Sequence, residues 1–104
     1  KLTTEALVGV TCVEMLKNYN FTKSFMGTNG ISPEGGFTTH DIEEACVKRI
    51  AVQKSYVAYV LADHSKFDKT ASVSFSELSK ACIITDYLKN DSYRALTVVK
   101  EVCR

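Results

Sequence analysis

The sequence contains no tryptophan, a single proline and only two histidines among its 104 residues. It has neither a Gly-x-Gly-x-x-Gly motif nor a Walker loop, so the nucleotide-binding folds built on those loops are not indicated. Its apolar runs are far shorter than the ~20 residues that a membrane-spanning helix requires. The formal net charge is only +1, which gives no basic field of the kind that drives nucleic-acid binding. We therefore expect neither a membrane span nor DNA binding by these residues alone.

The four cysteines indicate neither a metal site nor a disulfide framework. Cys12, Cys46, Cys82 and Cys103 are widely and irregularly spaced, with no Cys-x-x-Cys pair and no neighbouring pair of histidines, so no zinc or other metal is expected. Because nothing marks the chain for secretion, we expect four buried, reduced thiols and a cytoplasmic location.

Length and composition are those of one small globular domain. The apolar fraction is 45% and the charged fraction 24%, both ordinary values for a folded domain. We expect a single domain over residues 1–104. The first residue is Lys1 and not Met, and from this we expect that the chain is part of a longer protein.

Hydrophobic periodicity predicts that helices and strands alternate along the chain. Apolar residues at helical spacing predict helices at residues 4–19, at about residues 39–54 with Thr38 or Thr39 as N-cap, and from residue 91 or 92 onward. Apolar runs predict strands at residues 21–27, 56–62 and 81–86, the second of them covered on both faces. Breakers predict turns over residues 28–37, and residues 75–80 are interpreted as a helical turn. This order predicts an α/β fold with a parallel sheet flanked by helices.

Polar segments follow all three predicted strands. These are residues 27–30, 63–66 and 85–86. Parallel α/β sheets bind ligands beyond the carboxyl ends of their strands, so these segments define a candidate site. Gly35 and Gly36 precede the helix predicted to start at Thr39, where free N–H groups favour an anion, and Lys66 adds a full positive charge. Each feature also has a simpler interpretation: the glycine pair as a turn, Lys66 as a solvated side chain, Asp63 as a turn cap and His64 as a loop residue.

Several segments together resemble a known family. Residues 25–39 read Phe-Met-Gly-Thr-Asn-Gly-Ile-Ser-Pro-Glu-Gly-Gly-Phe-Thr-Thr, residues 61–67 read Leu-Ala-Asp-His-Ser-Lys-Phe, and residues 83–86 read Ile-Ile-Thr-Asp. With Glu43-Glu44-Ala45 and Val47-Lys48 between them, they resemble the sensor domain of DeoR-type transcriptional regulators of sugar metabolism. The resemblance spans about residues 5–100. It implies a fold shared with ribose-5-phosphate isomerase, glucosamine-6-phosphate deaminase and CoA transferases, of which this chain would form the second half.

The resemblance also implies roles for particular residues. The loop from Asp63 to Lys66 matches an isomerase loop that contacts the sugar phosphate, and Asn29 takes the place of an isomerase aspartate. Lys48 stands where the isomerase has its general-base glutamate, and a lysine is protonated at neutral pH unless it is buried. Glu44, one helical turn earlier, is a possible substitute base. The predicted effector-binding residues are Asp63, Lys66, Asn29, Gly35, Gly36, Thr39 and Lys48.

The function implied by the resemblance is effector sensing without catalysis. The chain would bind a phosphorylated sugar within a regulator, most simply a repressor, that forms homo-oligomers and needs no cofactor. The winged helix-turn-helix that contacts operator DNA, and a Gly/Thr-rich phosphate-binding loop, would lie outside these residues. Two alternatives stay open: a small sugar-phosphate isomerase, and a half-domain that binds nothing by itself.

Overall fold

A computed structural model describes residues 16–102 of the chain. The helix predicted at residues 4–19 lies outside the described residues except at its end, where the Leu16 carbonyl accepts a hydrogen bond from the Tyr19 N–H at 3.1 Å. Cys12 and Cys103 also lie outside them, so their predicted burial stays a prediction. Within residues 16–102, no helix is long and apolar enough to cross a membrane.

A parallel sheet of four strands forms the centre of the fold. In their order across the sheet, the strands are β1 (Phe21–Gly27), β4 (Ser55–Leu61), β6 (Cys82–Thr85) and β7 (Val99–Glu101). The first three confirm the strands predicted from apolar runs. All three pairings are parallel, so the α/β class and the parallel sheet are confirmed.

The described residues contain one α-helix, α1 (Ile42–Lys54). It follows the hairpin after β1 and leads directly into β4. Its N-cap is Asp41, whose side chain accepts a hydrogen bond from the Glu43 N–H at 2.9 Å. The predicted caps, Thr38 and Thr39, are wrong because both residues are extended and fully buried. Acidic Glu43 and Glu44 in the first turn and Lys54 in the last complement the helix dipole.

Residues 28–37, predicted as turns, form a turn only at residues 33–35, and most of the others belong to a second, antiparallel sheet. It consists of β2 (Gly30–Ser32), β3 (Gly36–Thr39) and β5 (Val73–Ser76), in the order β2-β3-β5. Gly36 makes the hairpin possible because its φ of 71° lies in the left-handed region that favours glycine. Phe37 of β3 and Phe75 of β5 then stack in the core with ring centroids 6.1 Å apart.

The helix predicted from residue 91 onward is also wrong. Residues Asp91–Ala95 form a 3-10 turn and the chain then enters β7. The expected apolar stripe does not face the core, since Leu96 is 41% and Val102 is 64% exposed. Val99 is buried because it pairs with Ile83 of β6 in the parallel sheet. This strand pairing, and not a helix face, accounts for its burial. The predicted helical turn at residues 75–80 is the end of β5 followed by a 3-10 turn at Leu78–Lys80.

The core lies on one face of the parallel sheet. Ala58 and Val60 of β4 belong to the same buried cluster as Ala45 of α1 and Ile83 of β6. On the opposite face, Leu61 is 47% exposed and Val57 and Tyr59 are only partly buried, so the described residues do not cover both faces of this strand as predicted. Cys46 and Cys82 are free thiols that are only partly buried.

Candidate functional site

The carboxyl ends of the parallel strands lie at one edge of the sheet. Gly27 pairs with Leu61, Leu61 with Ile84, and Thr85 with Glu101. The segments that follow β1, β4 and β6 therefore leave the sheet at the same edge. This is the edge at which open parallel α/β sheets bind ligands.

The loop at residues 63–66, after β4, is a 3-10 turn capped by its own aspartate. An Asp63 carboxylate oxygen accepts hydrogen bonds from the Ser65 N–H at 2.8 Å and from the Ser65 hydroxyl. These two bonds lower the pKa of Asp63 from its usual value, so the carboxylate stays charged. The other Asp63 oxygen lies 3.7 Å from the Lys66 ammonium. Asp63 thus caps the turn and also orients Lys66, whose side chain is about one-third exposed.

A histidine–aspartate pair ties this loop to the end of β6. Asp86 accepts hydrogen bonds from the His64 N–H at 2.8 Å and pairs with His64 Nδ1 at 2.7 Å. The His64 ring also stacks on Tyr87, with centroids 4.3 Å apart. The bond from the His64 side chain is the main reason that the pKa of Asp86 lies well below its usual value. The sequence did not reveal this pair. The available signal was that both residues lie in the polar segments predicted at the ends of two strands, residues 63–66 and 85–86.

The segment after β1 is held by the last residue of β3 and the residue that follows it. Asn29 Oδ1 lies 2.9 Å from the Thr39 hydroxyl and accepts a hydrogen bond from the His40 N–H at 3.2 Å. Because a backbone N–H can only donate, the Asn29 oxygen is an acceptor, and its amide nitrogen is the group that points elsewhere. The Thr39 hydroxyl also lies 3.3 Å from Glu44 Oε1.

Lys48 joins this polar network at Gly27, the last residue of β1, and at Glu44. Its ammonium donates to the Gly27 carbonyl at 2.9 Å, lies 3.8 Å from Glu44 Oε1 and sits 5.4 Å from the centre of the Phe75 ring. The side chain is only 13% exposed. Burial lowers the pKa of Lys48, and the charge of Glu44 opposes that shift.

Comparison with known proteins identifies the domain. Residues 1–87 match the family described as the DeoR C terminal sensor domain. This chain belongs to that family. The match confirms the resemblance that its motifs indicate.

The relatives of this DeoR sensor domain are transcriptional regulators. It is 43% identical over 102 residues to the uncharacterized HTH-type transcriptional regulator FruR of Bacillus subtilis (strain 168), covering 95% of this chain and 41% of that protein. It is 34% identical over 94 residues to the HTH-type transcriptional regulator IolR of the same strain, covering 89% of this chain and 38% of that protein. It is 30% identical over 100 residues to the lactose phosphotransferase system repressor of Staphylococcus aureus (strain NCTC 8325 / PS 47), covering 95% and 39%. The chain thus spans about two fifths of the length of these relatives.

The sensor domain brings some of the predicted residues together and separates others. Asn29, Thr39 and Lys48 belong to one network around Glu44 and Gly27. Asp63 and Lys66 share the loop after the neighbouring strand. Thr39 is fully buried and its hydroxyl is already used, so it holds Asn29 in place and does not itself face solvent.

The sequence predicted that Gly35 and Gly36 lead into the start of α1, but they do not stand there. Gly36 is the first residue of β3, and the rest of that strand separates both glycines from the helix, because the chain folds back as a hairpin. The Gly35 N–H donates to the Ser32 hydroxyl at 3.0 Å. Both glycines line a different cleft of about 640 Å³ that also includes Arg49. Their simpler interpretation, a turn, is the one that the structure confirms. No group of three or more metal-ligating side chains occurs among residues 16–102.

Proposed function

We propose that this chain is the effector-binding part of a DeoR-type transcriptional regulator, and that it binds a phosphorylated sugar at the carboxyl edge of the parallel sheet. The observation that carries the proposal is the placement of Lys66. Its ammonium is held by the Asp63-capped turn directly after β4, at the edge where this class of sheet binds ligands.

The groups at this edge suit a sugar phosphate. The Lys66 ammonium would pair with phosphate oxygens. The ionised Asp63 carboxylate would accept hydrogen bonds from sugar hydroxyls, which are good donors. The Asn29 amide nitrogen, with its oxygen already occupied by Thr39 and His40, would donate to a ligand oxygen. A cation, an acceptor and a donor thus lie in segments that leave the parallel sheet at the same edge.

The regulatory half of the proposal rests on the relatives. FruR and IolR are described as HTH-type transcriptional regulators and the staphylococcal protein as a repressor of a sugar phosphotransferase system. Operator binding would belong to the part of such a regulator that this chain does not match. Sugar-phosphate binding would then change operator affinity through linkage between the two sites.

The test is a thermal-shift series with glucose 6-phosphate, fructose 6-phosphate, ribose 5-phosphate and inorganic phosphate. A ligand at about a hundred times its dissociation constant adds roughly 2.7 kcal/mol to the free energy of unfolding, which raises the melting temperature by roughly ten to twenty degrees in a domain of this size. The unphosphorylated sugars at the same concentrations are the matched control. Equal shifts with and without the phosphate group would contradict the proposal, and so would no shift with any compound.

A second candidate function, sugar-phosphate isomerisation, is favoured by the burial of Lys48. A lysine with a lowered pKa has the property that a proton-abstracting base needs. Its environment argues the other way, because the Gly27 carbonyl accepts a hydrogen bond from the ammonium and the Glu44 carboxylate forms an ion pair with it at 3.8 Å, and both contacts favour the protonated form. We propose that Lys48 keeps its proton and braces β1 against α1, and that the chain is not an enzyme.

We therefore expect no aldose–ketose turnover above background with ribose 5-phosphate or glucose 6-phosphate. The measurement is a coupled isomerase assay of the unaltered chain, Lys48→Met and Glu44→Gln. Turnover that disappears in Lys48→Met would assign the base to Lys48, and turnover that disappears only in Glu44→Gln would assign it to Glu44. Either result would replace the sensing proposal with the enzymatic one.

A further inference from the structure

The Tyr93 side chain contacts Phe67 and Asp68, the two residues that directly follow the 63–66 loop. It lies in the 3-10 turn Asp91–Ala95, beyond residue 87, where the family match ends. The side chain is fully buried. Its hydroxyl donates to Asp68 Oδ1 at 2.7 Å and lies 3.3 Å from the Ile31 carbonyl oxygen. Burial, and then the contact with Asp68, raises the pKa of Tyr93 far above its usual value, so the hydroxyl remains a donor.

The partner of this hydroxyl has an unusual backbone conformation. Asp68 has a φ of 64°, in the left-handed region, which carries a steric cost for a residue with a side chain. Three contacts offset that cost. The Asp68 carboxylate accepts from Tyr93, its N–H donates to the Ile31 carbonyl at 2.7 Å, and the preceding Phe67 ring packs edge-on against the Tyr93 ring at 5.0 Å.

The 63–66 loop is therefore held at both ends. At its start, the Ala62 N–H donates to the Ile84 carbonyl at 3.0 Å and His64 is bound to Asp86. At its end, Phe67 forms a bridge with Ile31 and Asp68 is bound to both Ile31 and Tyr93. Lys66 lies between these anchors, two residues before Asp68. A displacement of either anchor would therefore displace the short stretch of backbone that carries the Lys66 side chain.

We infer that Tyr93 is a positioning residue for the 63–66 loop: its hydroxyl holds Asp68 in the left-handed conformation and so places Lys66 at the ligand edge before the ligand arrives. The ligand part of this inference rests on the proposed function. Binding to a loop that is already ordered carries a smaller entropic cost. Loss of the Tyr93 anchor therefore weakens binding even though no contact with the ligand is removed.

The test compares Tyr93→Phe, which removes one oxygen atom, with Tyr56→Phe, which removes the same atom from a side chain that is 89% exposed. Two quantities are measured in each variant and in the unaltered chain. One is the amide hydrogen-exchange rate at residues 68 and 69, whose N–H groups donate to the Ile31 carbonyl. The other is the dissociation constant for whichever phosphosugar of the thermal-shift series binds best.

Tyr93→Phe should speed exchange at residues 68 and 69 at least tenfold while exchange in β4 stays within a factor of about two, and it should weaken ligand binding about five- to tenfold. Tyr56→Phe should change neither quantity. A second variant, Asp68→Asn, keeps an acceptor oxygen for the Tyr93 hydroxyl, so it should retain slow exchange and near-normal affinity.

The outcomes separate the inference from the proposed function. Unchanged exchange in Tyr93→Phe, or faster exchange throughout β4, would overturn the positioning role, since the hydroxyl would then be idle or merely structural. Faster local exchange with an unchanged dissociation constant would overturn it too. If the unaltered chain binds none of the phosphosugars, the proposed function falls and takes the ligand part of the inference with it. The exchange rates still decide whether Tyr93 anchors the loop.

Discussion

Replacing Lys66 by alanine should weaken binding of the phosphorylated sugar about ten- to a hundredfold and leave the fold unchanged. Charge-assisted hydrogen bonds contribute about 1.5–3 kcal/mol each, which corresponds to this range of dissociation constants. The fold should tolerate the change because the Lys66 side chain is about one-third exposed and its one ion pair, with Asp63, spans 3.7 Å. Isothermal titration calorimetry gives the dissociation constant, and a melting curve checks the fold.

Lys80→Ala is the matched control for this prediction. It removes the same charge at the other end of the sheet, since Lys80 precedes the first residue of β6, and it should leave the dissociation constant unchanged. Lys66→Arg keeps the positive charge and should recover part of the affinity. An unaltered dissociation constant in Lys66→Ala would show that the ligand binds elsewhere, and the assignment of Asp63 would fall with it.

Gly36→Ala should cost about 3 kcal/mol of the free energy of unfolding, a large share of what a domain of this size possesses. Two effects add. The φ of 71° at Gly36 is one that an alanine rarely adopts, and an added Cβ would collide with the carbonyl oxygen of Ser76. That oxygen belongs to the backbone of β5, so relief requires the β3–β5 pairing to shift. Urea unfolding followed by circular dichroism measures the loss.

Gly27→Ala gives a close comparison within the same chain. An added Cβ at Gly27 would have no heavy atom within 4 Å, so its effect on stability should stay within about 1 kcal/mol. Equal losses in the two variants would mean that backbone conformation and crowding at Gly36 do not matter. A small loss in Gly36→Ala alone would mean that the hairpin adjusts, and the antiparallel sheet would then be less constrained than its register indicates.

Local sequence pattern predicted the elements whose signal is contained within them. Strand β1 begins and ends where the apolar run predicted it, and the α1 helix ends at Lys54 as expected. Strands β4 and β6 lie within one or two residues of their predicted bounds. Strands β4 and β6 consist of apolar runs and α1 has apolar residues at helical spacing, so these elements can be recognised from neighbouring positions along the chain.

The elements that were missed are those made by pairing between distant residues. Strands β2, β3 and β7 have three or four residues each, too few to show a period of their own. Glycine and proline near residues 30–36 are as compatible with a hairpin as with an irregular turn. Val99 fits a helical stripe as well as it fits a strand, and only its position beside Ile83 decides between them.

For the candidate site, the sequence by itself determined which residues follow the strands and hence that Asp63, Lys66 and Asn29 lie at the carboxyl edge. It also determined the family, because the motifs occur in order over most of the chain. Only the tertiary structure shows which hydrogen bonds hold these segments in place. Asp86 binds His64, Thr39 and His40 bind Asn29, and Tyr93 binds Asp68 after the end of the loop. The tertiary structure also showed that Gly35 and Gly36 do not stand at the start of α1, because the rest of β3 lies between them and the helix. The physical reason is that sequence spacing records which residues are neighbours along a strand or helix, whereas a hydrogen bond between residues 68 and 93 exists only after the core has packed around the Tyr93 ring.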